Sequence, residues 1–473
     1  MDAAWPSPAF MVLKNRLVVH DLAVTPKREW ASIMPGREWA RVECSSKKAY
    51  GCGKHGQDLV EGLELYVRRL GGRPDLTSSR SVGRRDLTSS RSIGLPDLTS
   101  SLSIALSAEA VRSIGAELGV SGGELEVDGN IRIASQQFLV VLVIFRFQDL
   151  GNRPYYLVYD SIDASLSMIP QIPRGLEATF TVTPVPQRTV DGLGHELVLM
   201  ARKFWPQPDR DRLCLCTPAA RENAASDGTI PWQIKVHRFP QFSQVFSADV
   251  IFSHEGKVFW VDLMQGLAYS NLRAGGSVVD SCFIKLPPGY GINFSDPPVY
   301  EWSEPRKMSR TVGCVAGSIK FVCINQRTAR PGNGILNVWT LDLEHRSWKK
   351  DVGFPCPLIE FWNSIDFISA DLRDVEPQYP VLMPDGGLCL LLPCAPQRKR
   401  GMTGCGEADY ICNFDMCSKR LQWSGLVRSD RNYGTSVSHI LPCDFFTKFY
   451  HPLERKLPSI LRQMPKCSPV VAQ

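Results

Sequence analysis

The chain has 473 residues, 44% of them hydrophobic and 22% charged, so it carries enough apolar surface to form a sizeable folded core. Its net charge of +6 is too mild to predict binding to nucleic acid or to an anionic membrane. The longest apolar run, residues 138–145, is far shorter than the ~18 residues of a membrane-spanning helix. The N-terminus lacks the basic and long apolar regions of a signal peptide. We therefore expect an intracellular protein, in the cytoplasm or the nucleus.

The N-terminal segment, residues 1–70, is predicted to contain strands and one helix. Residues 17–21 have the pattern of a strand, and Trp30 follows them. This stretch is either an extra strand pair that helps to close a ring of blades or a rearranged fragment. Residues 61–70 are predicted to form a helix.

A repeat with a period of eleven follows. Its copies begin at Asp75, Asp86 and Asp97, and each is rich in serine and poor in large apolar side chains. Such a segment buries too little apolar surface to offset the loss of chain entropy. The repeat therefore predicts a disordered insertion over residues 71–107. Serines beside arginines leave a regulatory role open.

Strands dominate the rest of the predicted structure. A helix is expected over 108–118, with Ser107 as its N-cap and Gly119 as its stop. Apolar runs rich in Val, Ile, Phe, Tyr and Trp then predict strands. These runs cover residues 138–145, 155–159, 257–261, 318–324 and 388–392. A short helix over 451–463 is the last predicted element.

Four of the predicted strands end in an aspartate, and an apolar residue follows each aspartate six positions later. The aspartates are Asp160, Asp262, Asp342 and Asp415, and the apolar residues are Leu166, Ala268, Trp348 and Leu421. An aspartate at the end of a strand can accept hydrogen bonds from the backbone N–H groups of a tight turn. Three glycines, Gly256, Gly317 and Gly386, precede strands and fit hairpin turns.

Hairpins of one kind that recur along the chain favour a mainly all-β fold, a β-propeller. With about 40 to 50 residues for each four-stranded unit, residues 130–430 would hold about six blades. Blades with weaker signatures are expected near 195–204 and 232–239. A β-sandwich or a pair of β-domains is the alternative. The chain then divides into residues 1–70, the insertion 71–107, a propeller-like domain over 108–430 and a tail over 431–473.

Several phrases in order along the chain resemble one protein family. They occupy residues 258–267, 283–288, 337–342 with Ser347 and Trp348, and 379–382. They are similar to the plant domain of unknown function 1618, a family abundant in grasses, over about residues 130–430. The resemblance implies a plant protein with a propeller-like fold related in style to F-box-associated and kelch domains. It implies no activity and offers no catalytic residues. The serine-rich repeat replaces the family's usual opening strand, and the stretch 1–60 contains no F-box.

Residue patterns that carry known chemistry are absent from the sequence. There is no phosphate-binding loop, no Gly-x-Ser-x-Gly elbow and no His-Glu-x-x-His pair. The cysteines between 389 and 417 cluster in the sequence, but their spacing exceeds that of most zinc sites, and a buried cysteine usually acts as a small hydrophobe. Residues 398–400, Arg-Lys-Arg, are expected to form a solvated loop. We predict no enzymatic activity, catalytic residue, cofactor or metal.

The leading functional hypothesis is a non-enzymatic protein-interaction scaffold, because loops at the rims of a propeller are free to bind partners. Tryptophan is enriched in binding hot spots, although each tryptophan here can instead belong to the core. The candidate anchors are Trp302, Trp339, Trp348, Trp362 and Trp423. The alternatives are an enzyme with a pocket in the propeller channel and a decayed family duplicate.

Overall fold

The structure is a computed structural model. It describes residues 11–14, 18–21, 39–68, 99–100, 102–118, 125–135, 137–147, 151–173, 175–189, 192, 194–203, 212–217, 231–238, 245–273, 279–291, 308–325, 334–370, 372, 375–383, 385–393, 409–427 and 440–443. Within these ranges the regular structure is mainly β-strand, with four short helices.

A group of short elements precedes the blades in the described chain. They are β1 (Met11–Lys14), β2 (Val18–Asp21), β3 (Trp39–Arg41), β4 (Ser46–Ala49), α1 (Gly56–Glu61), β5 (Leu63–Arg68), β6 (Thr99–Ser100), β7 (Leu102–Leu106) and α2 (Ala108–Leu118). Strands β2, β7, β5 and β3 form a mixed sheet in that order, which we call the N-terminal sheet. Its neighbouring strands do not follow one another along the chain, so it is not a meander.

Five antiparallel meanders, named blades 1 to 5, come next. Blade 1 contains β8 (Leu125–Ala134), β9 (Phe138–Phe147), β10 (Gly151–Asp160) and β11 (Ser165–Pro170), and β4 adds to its outer edge. Blade 2 contains β12 (Leu176–Ala178), β13 (Val185–Arg188), β14 (His195–Lys203), β15 (Arg212–Cys216) and β16 (Trp232–Arg238); β12 and β13 share one edge of β14. Blade 3 contains β17 (Val250–His254), β18 (Lys257–Asp262), β19 (Gly266–Asn271) and β20 (Val279–Lys285).

Two further blades and two helices complete the described chain. Blade 4 contains β21 (Arg310–Val315), β22 (Ser318–Asn325), β23 (Ile335–Asp342), β24 (Ser347–Lys350) and the short β25 (Cys356–Pro357). Helices α3 (Ile359–Trp362) and α4 (Ile365–Ser369) connect it to blade 5. Blade 5 contains β26 (Gln378–Leu382), β27 (Gly387–Leu392), β28 (Asp409–Asp415) and β29 (Leu421–Val427), and β30 (Ile440–Cys443) pairs with β1.

The blades have a β-propeller arrangement. Strand β13 of blade 2 contacts β17, the first strand of blade 3, which contacts β21 of blade 4, which in turn contacts β26 of blade 5. The prediction of about six blades is wrong, because the described residues form five. Strands β8, β13, β17, β21 and β26 begin at residues 125, 185, 250, 310 and 378. Each blade with its connections therefore takes up more of the chain than the repeat assumed from the sequence.

Five hydrophobic cores lie between successive sheets. One core joins the N-terminal sheet to blade 1, and the others join blade 1 to 2, 2 to 3, 3 to 4 and 4 to 5. Strand β18 shows how one strand serves two cores. Val258 and Trp260 pack toward blade 2, whereas Phe259 and Val261 pack toward blade 4. Because both faces are buried, such strands are continuous apolar runs rather than alternating ones.

The aspartates do cap the turns, as predicted. The Oδ1 of Asp160 accepts from the backbone N–H of Ile162, and that of Asp342 accepts from the N–H of His345. Asp262 and Asp415 each accept from two backbone N–H groups of their turns. The four apolar residues six positions later all lie in the following strand. Asp262, however, ends the second strand of its blade, while the other three aspartates end the third.

Two of the predicted hairpin glycines lie in two-residue turns between the first and second strands. Glu255 and Gly256 have φ values of 50° and 72°, and Ala316 and Gly317 have 47° and 76°. Positive φ at both positions is typical of the type I′ turn, whose twist matches that of the flanking strands. Glycine at the second position avoids the steric cost of a Cβ there.

The predicted helix over residues 61–70 is wrong. Helix α1 ends at Glu61, and β5 begins at Leu63. Leu63, Leu65 and Val67 are buried at every second position, which is the period of a strand and not of a helix. The predicted helix over 108–118 is confirmed, and the Ser107 hydroxyl accepts from the N–H of Ala110 as its N-cap.

Other expectations for the ends of the chain have mixed outcomes. Residues 18–21 form a strand at one edge of the N-terminal sheet, parallel to β7; Trp30 lies outside the described residues. The predicted insertion extends too far, because Leu102–Leu106 is a fully buried strand. Its three large apolar side chains enter the core against blade 1. The remaining boundaries stay predictions, and the helix expected over 451–463 lies outside the described residues.

The turn aspartates provide a test of what stabilises the blades. Asp262 is buried and accepts from the backbone N–H groups of Ser247, Met264 and Gln265 and from the Gln265 side chain. Asp262→Ala would leave these donors without their acceptor, at a cost of about 3 kcal/mol. We expect a clear fall in the thermal unfolding midpoint. Asp415→Ala is the matched control, since its turn is open to water and its loss should be smaller. Equal shifts would contradict this account.

Candidate functional site

A buried polar cluster lies where the ends of blades 1 and 2 meet. The carboxylate of Asp160 is fully buried, and Arg188 Nη2 donates to its Oδ1 at 2.7 Å. His195 Nδ1 lies 3.7 Å from Asp160 Oδ2. The ring of Phe138 packs edge-on against His195, and the Arg188 guanidinium lies over the same ring. The cluster thus combines an ion pair with aromatic packing.

His195 in this cluster is neutral near neutral pH. Burial lowers the pKa of His195 to about 4; the positive charge of Arg188 adds to the fall, and Asp163 opposes it. The contact between His195 and Asp160 is therefore not an ion pair at neutral pH. Asp160 also caps its own turn, so this cluster joins the two blades, and its geometry suits a structural role.

A second polar group lies on the first strands of blades 3 and 4. The Cys314 sulfur is 3.3 Å from His254 Nδ1, and His254 Nε2 is 3.8 Å from Glu255 Oε1. Burial raises the pKa of the Cys314 thiol, a hydrogen bond from the Gly317 backbone opposes the rise, and the charge of Glu255 adds to it. The thiol contacts the imidazole, as a nucleophile contacts its base, and the carboxylate lies near the other ring nitrogen beyond hydrogen-bond distance.

Exposed hydrophobic residues are concentrated between β24 of blade 4 and β26 of blade 5. They are Val352, which precedes β25, and Ile359, Ile365 and Ile368 on α3 and α4, with 99%, 39%, 79% and 64% of their surface exposed. They are four of the eight exposed large hydrophobic residues in the described ranges, and they are close together in the sequence. We call them the connector patch. Exposed apolar side chains that cluster mark interaction sites more often than scattered ones do.

The buried side of the connector holds the patch in place. Phe361, Trp362 and Phe367 enter the core between blades 4 and 5, where their rings contact one another and Phe414. The Ser364 hydroxyl accepts from the N–H of Phe367 and caps α4. Because these aromatic side chains anchor both helices, the isoleucines on the other side face outward on a fixed backbone.

Two ion pairs border the connector patch. Arg420 donates to both carboxylate oxygens of Asp366, at 2.8 and 3.1 Å. Lys419 Nζ donates to one carboxylate oxygen of Glu360, Oε2. Hydrogen bonds from the two cations lower the pKa of Asp366 and of Glu360. All four groups are therefore charged at neutral pH, and each pair is neutral as a whole.

The four candidate tryptophan anchors that the structure describes are buried or half-buried. Trp339 and Trp348 are half-buried in blade 4, where they pack against Tyr290 and Phe321, and Trp348 Nε1 donates to the carbonyl of Lys285. Trp362 is buried beneath the connector, and Trp423 is half-buried on β29. Trp302 lies outside the described residues. Trp339, Trp348 and Trp362 therefore pack against other aromatic rings of the protein.

Two cysteines of the 389–417 cluster are buried among apolar residues, as expected, and a third is exposed. Cys389 and Cys412 are fully buried on neighbouring strands of blade 5, and burial raises the pKa of both thiols. Cys417 is exposed in a turn, while Cys394, Cys405 and residues 398–400 lie outside the described ranges. Among the described residues, no group of three or more His, Cys, Asp or Glu side chains could hold a metal ion. No helix in these ranges is long and apolar enough to cross a bilayer.

The sequence comparison identifies one stretch of the chain. Residues 260–389 match the family model described as protein of unknown function, DUF1618. This DUF1618 stretch runs from β18 in blade 3 to β27 in blade 5 and includes the whole connector patch. It is shorter than the range of 130–430 expected from the sequence. No curated protein is significantly similar to the chain.

Solved structures similar to the chain include propellers. The β-propeller domain of the Trilobed protease from Pyrococcus furiosus has 8% identity and a TM-score of 0.31, over 66% of this chain and 73% of that one. The Cps50 (Swd1) β-propeller domain from Myceliophteria thermophila has 11% identity and a TM-score of 0.26, over 65% and 86%. The α-L-arabinofuranosidase PaAbf62A from Podospora anserina has 11% identity and a TM-score of 0.23, over 57% and 82%. The propeller assignment rests on strand order and on the contacts between first strands.

Sequence patterns alone do not single out the connector patch. Ile359, Ile365 and Ile368 alternate with aromatic residues, so the sequence does not show which of these apolar side chains reach the core. One signal is present: Ser364, a capping residue type, comes directly before Ile365 and marks the start of a short helix.

His195 predicts a specific pH dependence of stability. Its pKa is about 4 in the folded chain and ~6.5 when unfolded, so the unfolded chain binds more protons between these values. The free energy of unfolding should therefore fall by about 3 kcal/mol as the pH drops from ~6.5 to ~4. In His195→Phe this part of the fall should disappear. Urea unfolding across the pH range measures it, and identical slopes in both proteins would refute the assignment.

Proposed function

We propose that the protein is a non-enzymatic interaction scaffold that binds a protein partner through the connector patch. The observation that carries this proposal is the concentration of four exposed large hydrophobic residues between β24 and β26, three of them on helices that buried aromatic rings anchor to the core. Burying an exposed isoleucine at an interface is favourable by about 1.5–3 kcal/mol when burial is complete. A rigid backbone adds to affinity because little conformational freedom is lost on binding.

The biological setting belongs to the same proposal. The DUF1618 stretch supports a plant protein with a propeller related in style to F-box-associated and kelch domains. The mild net charge supports a protein partner over nucleic acid or a membrane surface. An intracellular location, in the cytoplasm or the nucleus, is part of the proposal. A decayed family duplicate is the alternative, and a failure of the purified chain to fold would favour it.

The scaffold is tested by placing charge on the patch. The double substitution Ile365→Asp with Ile368→Asp should lower the affinity for the partner ~30-fold or more. The reason is that at least ~2 kcal/mol of favourable apolar burial is lost. Proteins captured from plant extract by the wild-type chain are quantified by mass spectrometry, and direct binding of a purified candidate is then measured by calorimetry. Val245→Asp is the matched control, because Val245 is 90% exposed away from the connector. Equal binding by all three chains would refute the proposal.

Thiol-dependent acyl transfer is a second candidate function, favoured by the contact between Cys314 and His254. In the first step, His254 takes the thiol proton while the sulfur attacks the carbonyl carbon of an activated ester. The C–O bond of the ester breaks, a thioester forms, and the alcohol leaves with the proton from His254. Water then hydrolyses the thioester and restores the thiol. Because the pKa of the thiol is raised, this chemistry depends on the imidazole as the base.

An aryl acetate that releases a coloured phenol tests this second function. The wild-type chain should release phenol faster than Cys314→Ser, and His254→Gln should lower the rate at least tenfold, which corresponds to one lost proton-transfer catalyst. Cys417→Ser is the control, because it removes an exposed thiol for which the structure describes no contact with a histidine. This variant should keep the wild-type rate. Equal rates in wild type and Cys314→Ser would exclude Cys314 as the nucleophile.

A further inference from the structure

We propose that the connector patch binds a second copy of this chain, so that two chains associate about a twofold axis. This inference rests on the proposed function, since it names the partner of the same patch. A twofold axis brings a surface against itself, so the surface must complement itself in shape and charge. The connector patch and the two ion pairs on its border meet the charge requirement.

The apolar part of the surface needs a partner that is also apolar. Ile365 and Ile368 are three positions apart on α4 and extend from the same side of the helix, opposite the buried ring of Phe367. A copy of α4 placed antiparallel across a twofold axis would set each isoleucine against the other chain's isoleucines. The isoleucine side chains of both copies would then be removed from water, and no polar group would be enclosed between them.

The charged border complements itself. Asp366 lies between the two isoleucines in sequence, and Arg420 holds it with two hydrogen bonds. Arg420 is 67% exposed and Asp366 33%, so both can face a second molecule without first leaving a buried site. In a twofold dimer the Arg420 of each chain can pair with the Asp366 of the other. The exchange keeps every charge matched.

The charges on the border of the connector patch also favour a second copy of the chain over other partners. A nucleic acid or an anionic membrane would meet Asp366 and Glu360 with charge of the same sign, and a basic partner would meet Arg420 and Lys419 likewise. A surface whose border carries equal numbers of both signs at adjacent positions suits a partner with the same pattern. The chain itself has that pattern.

The test uses the charge pair to distinguish contacts between chains from contacts within one chain. Asp366→Arg places two arginines on the border, and Arg420→Asp places two aspartates there. Each variant alone should remain monomeric, because its copies repel one another. A 1:1 mixture should form heterodimers, because two arginines then face two aspartates. An ion pair that acts only within one chain predicts no gain on mixing.

Sedimentation velocity of the full-length chain at ~1 to ~100 μM, a range set by the weak affinity of small interfaces, measures these outcomes. The wild type should dimerise, and Ile365→Asp with Ile368→Asp should raise the dimer dissociation constant at least tenfold. Thermal unfolding confirms that each variant folds; Glu360→Lys and Lys419→Glu provide a second charge-swap pair if one does not. A wild type that stays monomeric, or a wild-type dimer whose swapped mixture stays monomeric, overturns the proposal.

The outcomes also separate this inference from the scaffold proposal. The wild type could be monomeric and still bind another protein, with that binding lost on substitution of Ile365 and Ile368. This outcome would overturn the dimer proposal and support the scaffold proposal. A dimer that depends on these residues supports the inference whether or not a further protein is captured. A monomeric wild type with no partner that depends on the patch removes both.

Discussion

The fold depends on middle strands that bury both of their faces. In β9, Leu139, Val141 and Val143 pack against the N-terminal sheet, while Val140 and Leu142 pack against blade 2. The same division recurs in β14, β18 and β22, so each of blades 1 to 4 is one wall of two cores. No blade can bury its apolar residues alone, which couples the stability of each to its neighbours. Stability is therefore a property of the row of blades and not of a single sheet.

Because these strands are buried on both faces, the backbone at their ends must turn without leaving polar groups unpaired. Aspartates satisfy the turns by accepting hydrogen bonds from their backbone N–H groups. Asp160 has a second role. Its buried carboxylate needs a cation, and Arg188 from the next blade supplies it. Asp160 thus caps a turn within blade 1 and also joins blade 1 to blade 2. Buried charges that are paired in this way specify geometry more than they add stability.

Much of this could be predicted from the sequence because short-range chemistry decides it. The apolar runs, the turn aspartates and the Ser107 cap are local signals, and the structure confirms them. The predicted number of blades was wrong because connection length has no local signature, and each of the five blades among the described residues takes up more of the chain than was assumed. The helix predicted over residues 61–70 was wrong for another reason: the burial of residues 63–67 at every second position depends on the sheet around them. The connector patch could not be predicted, since exposure is decided by the distant residue Phe414, against which the aromatic side chains pack.

The connector shows why a rigid scaffold can keep an apolar surface exposed. Phe361, Trp362 and Phe367 lock α3 and α4 to the core, so the outward isoleucines cannot turn inward without breaking that packing. Their exposure is therefore not relieved by local rearrangement. The paired charges around them would restrict which surfaces fit. A patch that is fixed, apolar at its centre and neutral at its border is what the proposed twofold dimer requires of each copy.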